Sequence, residues 1–171
     1  LIEEIKAVKE EKTKLNEMLD VIHETMEVQI KENEVENVAA LAAAMKNLVE
    51  KYGCQAAAIQ CWNALQTEIG IMPCAANAIL NEEGIPVVCE TDIHGAVTAL
   101  LVEAAGMGEV RSFFADWTIR HPDLDNGELL QHCGPWPVSV AAEKPKLTYP
   151  LAFDHPGSLT AEAKHGDVTL C

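Results

Sequence analysis

Gly84-Ile85-Pro86-Val87-Val88-Cys89-Glu90-Thr91-Asp92-Ile93-His94-Gly95-Ala96 decides the fold class. Ile85 to Cys89 is a short apolar run of strand length, and it stops at three polar residues. Thr91 or Asp92 can cap the helix that follows, which runs through Ala96, Leu100, Leu101 and Ala104-Ala105 to Gly106. Upstream, Ala56-Ala57-Ala58-Ile59-Gln60-Cys61-Trp62 reads as another buried strand, and Pro73 opens a helix through Leu80 that Glu83-Gly84 ends. Downstream, Val110 to Ala115 and Leu129-Leu130-Gln131-His132 read as a third and a fourth strand. Strand, helix, strand, helix, strand at this pace is the βαβ pattern, and right-handed crossovers then predict a parallel, Rossmann-like α/β sheet over residues 53–133. Ligands collect at the carboxyl ends of such strands. Gln60 and Trp62 fall there after the first strand, Glu90 and Asp92 after the second, Asp116 after the third and His132 after the fourth.

Helices precede this unit. Ile2, Ile5, Val8, Leu15, Met18, Leu19, Ile22 and Met26 recur at steps of three, four and seven, which predicts one helix from residue 1 to about 31. Val35, Val38, Leu41, Met45, Leu48 and Val49 predict a second from Glu34 to Lys51, with Gly53 at its C-terminal cap. Past Gly134 the texture changes: Pro135, Pro137, Pro145, Pro150 and Pro156 break any helix. Lys164-His165-Gly166-Asp167 reads as a turn, and Val168-Thr169-Leu170-Cys171 begins a strand. The expected organisation is an α/β domain over 1–134, then a linker and the start of a truncated β-rich domain over 135–171. The chain does not begin with Met, so a start further upstream is expected.

The formal net charge is −15, from 27 acidic and 12 basic residues among 171. Nucleic-acid binding and docking on anionic membranes both need a basic surface, so both are disfavoured. No apolar run approaches the roughly 20 residues that span a bilayer. Six cysteines (Cys54, Cys61, Cys74, Cys89, Cys133 and Cys171) contain no CxxC pair, and several sit in apolar runs as small hydrophobes. A reduced, cytoplasmic protein without disulfides is the expectation.

Glu68, Glu90, Asp92, Asp116 and His132 are candidate ligands of a divalent metal, because carboxylates with one imidazole suit Mn²⁺ or Mg²⁺ better than a soft ion. Asp92 could equally be only a helix cap, and His132 a packed strand-end residue. Cys133 and Cys61 are candidate nucleophiles with His132 as base, but neighbours on a strand point to opposite faces, which disfavours a direct His132–Cys133 pair. Gly106-Met107-Gly108 follows a helix and reads as a helix stop, not a phosphate loop.

Ala58-Ile59-Gln60-Cys61-Trp62, the 84–96 stretch, Phe114-Ala115-Asp116 and His132-Cys133-Gly134 together resemble the L-fucose isomerase family in order and spacing, over its second and third domains. Gly166-Asp167-Val168-Thr169-Leu170 is similar to the start of a strand in that family's C-terminal barrel. The resemblance implies aldose–ketose isomerisation of an L-fucose- or L-arabinose-like monosaccharide through an enediol, with Mn²⁺ or another divalent cation held by a Glu, an Asp and a His. Asp92 matches the Asp and His132 the His. Asn77 stands where the family carries its Glu, so Glu68, in Gln66-Thr67-Glu68-Ile69-Gly70, is the candidate third ligand. Glu68 and Asp92 are then also the catalytic acid–base pair, with Gln60 and Trp62 as substrate-binding side chains. The resemblance further implies a homo-oligomer whose sites draw on neighbouring subunits and on the barrel, so this chain alone is expected to be inactive. The alternative is a non-catalytic carbohydrate-binding or regulatory α/β module, which Asn77 favours and which need not bind manganese.

Overall fold

The computed structural model describes residues 1–150 and 154–171. The apolar stripe of the first segment forms two helices instead of one, α1 (Ile2–Glu10) and α2 (Lys12–Thr25). Glu11 breaks the run with a non-helical ψ of 83°. The break lets Ile5 and Val8 on one side, and Leu15, Met18 and Ile22 on the other, all reach the core. A short strand, β1 (Glu27–Val28), takes the place of the expected last helical turn.

The helix α3 (Glu32–Tyr52) is the axis of the molecule. The Lys31 N–H donates to the Glu34 carboxylate at 2.9 Å, which satisfies one orphan donor at its start. Gly53 closes it in the left-handed region at φ 62°, as its position predicts. Its middle, Val38 to Met45, is buried all round. The alanines there let α1, α2 and the next long helix approach closely.

The βαβ unit forms as expected around the 84–96 stretch. β2 (Ala57–Ala58) and β3 (Val87–Val88) pair in parallel, Ala57 opposite Val87 and Ala58 opposite Val88. Between them lie α4 (Ala64–Glu68) and α5 (Cys74–Glu82), and α6 (Ile93–Ala105) follows β3. Asp92 is the cap of α6, its Oδ1 accepting from the Gly95 N–H at 2.9 Å.

The parallel sheet stops there, contrary to expectation. Val110–Ala115 is irregular, and the next strand, β4 (Asp116–Arg120), begins where the third strand was expected to end. It pairs antiparallel with β5 (Glu128–Gln131), so the third and fourth strands form a hairpin of their own. The reason is chain length. A parallel return needs a crossover of a dozen or more residues, and only 121–127 lie between these strands.

The segment after Gly134 packs on the first helices. After a 3-10 turn (Val138–Val140), β6 (Lys146–Thr148) pairs in parallel with β1 and antiparallel with β7 (Ser158–Thr160). Trp136, Leu147 and Leu159 join the cluster formed by α1, α2, α3 and α5. Val168–Cys171, expected to begin a strand, lies in none. Among the described residues no helix is long and apolar enough to cross a membrane. The result is a mixed α/β structure of six α-helices and three small sheets among the described residues.

Candidate functional site

The ends of β2 and β3 and the β4–β5 hairpin meet at one open cavity of about 140 Å³. Cys61 and Trp62 reach it from beyond β2, Glu90 from beyond β3, Asp116 from the start of β4, and His132 and Cys133 from beyond β5. Polar strand-end residues therefore converge, although the hairpin replaces half of the expected sheet.

Backbone strain positions Glu90. Glu90 and Thr91 stand at φ 62° and 59°, a left-handed pair without a glycine. Such residues are uncommon, and for β-branched Thr91 the conformation is a genuine outlier. Hydrogen bonds hold the turn: the Thr91 N–H donates to Ile59 O and the Asp92 N–H to Cys89 O, each at 3.1 Å. Strain held in place by its surroundings clusters at functional sites.

His132 is half-buried. The Phe114 ring tilts against its imidazole, with centroids 5.5 Å apart and planes at 55°. On its other side Phe114 closes on Gly95, where a Cβ would come within 3.0 Å of the ring and 2.5 Å of Asp92 Oδ2. Phe114 thus ties the Asp92 cap to the His132 ring. Burial works against the charged imidazole, but the Cys133 sulfur and the Asp116 and Glu90 carboxylates outweigh it and raise the His132 pKa.

Cys133 Sγ lies 3.7 Å from His132 Nδ1 and 3.5 Å from Cys74 Sγ. The direct His132–Cys133 pair that strand alternation disfavoured does exist. The pair lies past the end of β5 at Gln131, so alternation does not apply to it. The hydrogen bond with Cys74, reinforced by His132, lowers the Cys133 pKa to about 5, while the buried Cys74 is raised. Cys61 is lowered to about 7 by its hydrogen bond with Cys89, whose own pKa is raised.

The remaining predicted residues lie elsewhere. Glu68 is the exposed last residue of α4, Gln60 is exposed past β2, and Asp92 is engaged as the α6 cap; none of the three lines the cavity. Asn77 is fully buried in α5, its Nδ2 3.5 Å from Cys89 Sγ and its Oδ1 without a partner. Among the described residues no three His, Cys, Asp or Glu side chains are arranged to hold a metal ion. Of the expected donor set Glu68, Asp92 and His132, only His132 lines this cavity. Sequence reasoning missed Phe114 as a support for His132, and it missed the Cys74–Cys133 contact. The aromatic just before Asp116 signalled the first; nothing local signalled the second.

No protein-family model matches the chain. The similarity that does exist is to sugar isomerases. Over 109 residues, 64% of the chain, it is 28% identical to a sulfoquinovose isomerase of Alkalicoccus urumqiensis. Over 142 residues, 80% of the chain, it is 26% identical to sulfoquinovose isomerases of Priestia aryabhattai and Priestia megaterium. These matches take in 24% and 30% of the relatives, so the chain spans less than a third of their length. They support the broader class of sugar isomerase and not L-fucose isomerase in particular.

Proposed function

We propose that the chain carries part of the active site of an aldose–ketose sugar isomerase working through an enediol. The observation that carries this reading is the meeting of Glu90, Asp116 and His132 at one cavity beyond the ends of two parallel strands. Moving a carbonyl to the neighbouring carbon needs a group that takes a proton from one carbon and returns it to the next. It also needs a donor that steadies the charge growing on oxygen. The Glu90 and Asp116 carboxylates suit the first task. His132, whose charged form its neighbours favour, suits the second. Trp62 gives the cavity an aromatic wall against which the apolar face of a sugar ring can lie.

The substrate proposed is a monosaccharide. No Lys or Arg lines the cavity among the described residues, so this part of the site fits uncharged hydroxyl and carbonyl groups, as an L-fucose- or L-arabinose-like sugar presents. Binding cavities for small molecules run to ~300–1,000 Å³, well above the 140 Å³ here. The other walls are assigned to further chain or to a second copy in a cytoplasmic homo-oligomer. A divalent cation, Mn²⁺ by preference, belongs to the proposal for that larger assembly. There Asp92, His132 and Glu68 are its proposed ligands, and its chemistry would be to polarise the sugar carbonyl. No step is assigned to it from this chain.

The test is ketose formation from L-fucose, L-arabinose and sulfoquinovose by the longer protein that contains this chain, with and without a chelator. Turnover of one of them supports the proposal, and its loss with the chelator supports the cation. Sugar binding without interconversion would overturn the enzyme reading in favour of a non-catalytic binding module, which the neutral, buried Asn77 fits.

A further inference from the structure

We propose that Cys74 and Cys133 form an oxidation site that a hydroperoxide closes to a disulfide, pinning the His132-bearing loop to the start of α5. Three observations meet at this pair. The sulfurs are 3.5 Å apart although 59 positions separate them in sequence. Cys133 lines the open cavity, where a small oxidant reaches it, while Cys74 is fully buried behind it. Gly134, adjacent to Cys133, packs against Cys74 so closely that a Cβ there would lie 3.3 Å from Cys74 Cβ. The two backbones are therefore already drawn together. Bond formation brings the sulfurs from 3.5 Å to ~2.05 Å, a contraction of about 1.5 Å that a half-exposed loop end can make.

The step divides the labour by access. Cys133 sulfur attacks one peroxide oxygen; an S–O bond forms, the O–O bond breaks, and the thiol proton leaves with the departing oxygen as water, giving a sulfenic acid. Cys74 sulfur then attacks the sulfenic sulfur. The S–S bond forms, the S–O bond breaks, and the hydroxyl takes the Cys74 proton to leave as a second water. Two thiols are oxidised by two electrons and one hydrogen peroxide is reduced to two waters. Cys61 and Cys89 also touch, but Cys61 is buried where Cys133 is half-exposed, and that pair is not attached to the His132 loop.

This site does not depend on the sugar-isomerase reading, and its test needs no turnover. The reduced chain is treated with hydrogen peroxide, unreacted thiols are blocked, and peptides are mapped by mass under non-reducing conditions. The expected result is a Cys74–Cys133 linked peptide lacking two hydrogens, with loss of alkylation at both residues and its return after dithiothreitol. The His132 imidazole NMR signals should shift on oxidation and revert on reduction in the same sample. A Cys133 sulfinic acid without linkage, a Cys61–Cys89 link in its place, or a bond between two chains would overturn the proposal. Cys74→Ser checks the order of events: Cys133 should then stop at the sulfenic acid, trapped by dimedone, and an untrapped, unmodified Cys133 would contradict it.

Discussion

Thr91 holds a left-handed backbone at φ 59° that costs about 1–2 kcal/mol for an ordinary residue and nothing sterically for glycine. Thr91→Gly keeps the N–H that bonds Ile59 O. It should therefore raise stability by about 0.5–1 kcal/mol after the entropy of glycine is counted, measured by urea unfolding. In the longer protein the same change should lower turnover, because the strained turn aims Glu90. Unchanged stability would show that the turn is not strained. The His132–Cys133 pair makes a second residue-scale prediction. Cys133 is depressed, so its contribution to stability grows as pH rises above about 5, is complete above the ordinary thiol value of 9.0, and is lost as pH falls through about 5. His132 is raised, so its contribution is complete below its ordinary 6.5 and is lost as pH rises through its raised value. Iodoacetamide should accordingly label Cys133 ahead of the other thiols at pH 6–7, with the rate falling through a midpoint of about 5. A midpoint near 9.0 would contradict the contact geometry.

The element that bears most on function is α6, since its cap is also a proposed ligand. Asn caps a helix about as well as Asp, whereas Ala does not. Asp92→Ala should cost about 1 kcal/mol and Asp92→Asn close to nothing. If Asp92 also serves the chemistry of the longer protein, Asp92→Asn should still lower turnover by at least about 100-fold. Equal activity in Asp92→Asn and the unaltered protein would leave Asp92 a cap only. This element was legible in the sequence because everything that defines it is local: an apolar pair, a polar stop, a capping oxygen and a terminal Gly106. The β4–β5 hairpin was not read, because two apolar runs look alike whichever way they pair. The expected strands at 110–115 and 129–132 left 13 residues between them, enough for a crossover, and only the actual start of β4 at Asp116 shortens the link to 121–127. The cavity followed the same rule. Glu90 and His132 were legible as residues that follow strands, whereas Asp116, expected after a third strand, opens β4 instead. The position of Glu68 depends on how the short α4 turns out to solvent, which only tertiary packing sets. The Cys74–Cys133 contact joins distant segments and leaves no trace in spacing.

At the scale of the molecule, the strands after Gly134 and the helices before Gly53 share one apolar core. Leu147 is fully buried where β6 meets β1 and contributes to that core. Leu147→Ala should therefore cost about 2–5 kcal/mol and loosen the helical half as well, visible as a lower far-ultraviolet circular dichroism midpoint. Gly157 ties the same segment to the site: a Cβ there would lie 2.3 Å from Met72 O, and the Met72 N–H bonds Pro156 O at 2.7 Å. The 156–157 backbone thus seats the start of α5 and with it Cys74, directly behind the cavity.

The central claim is that the cavity carboxylates move a proton between neighbouring sugar carbons. It is tested most directly by solvent deuterium in the longer protein that contains this chain, with the isomerised sugar followed by NMR. Deuterium should enter at the carbon beside the carbonyl as product forms. Both exchange and turnover should fall by at least about 100-fold in the Glu90→Gln/Asp116→Asn double variant. Product formed at the full rate by that variant, or deuterium entering as fast in it as in the unaltered protein, would contradict the claim.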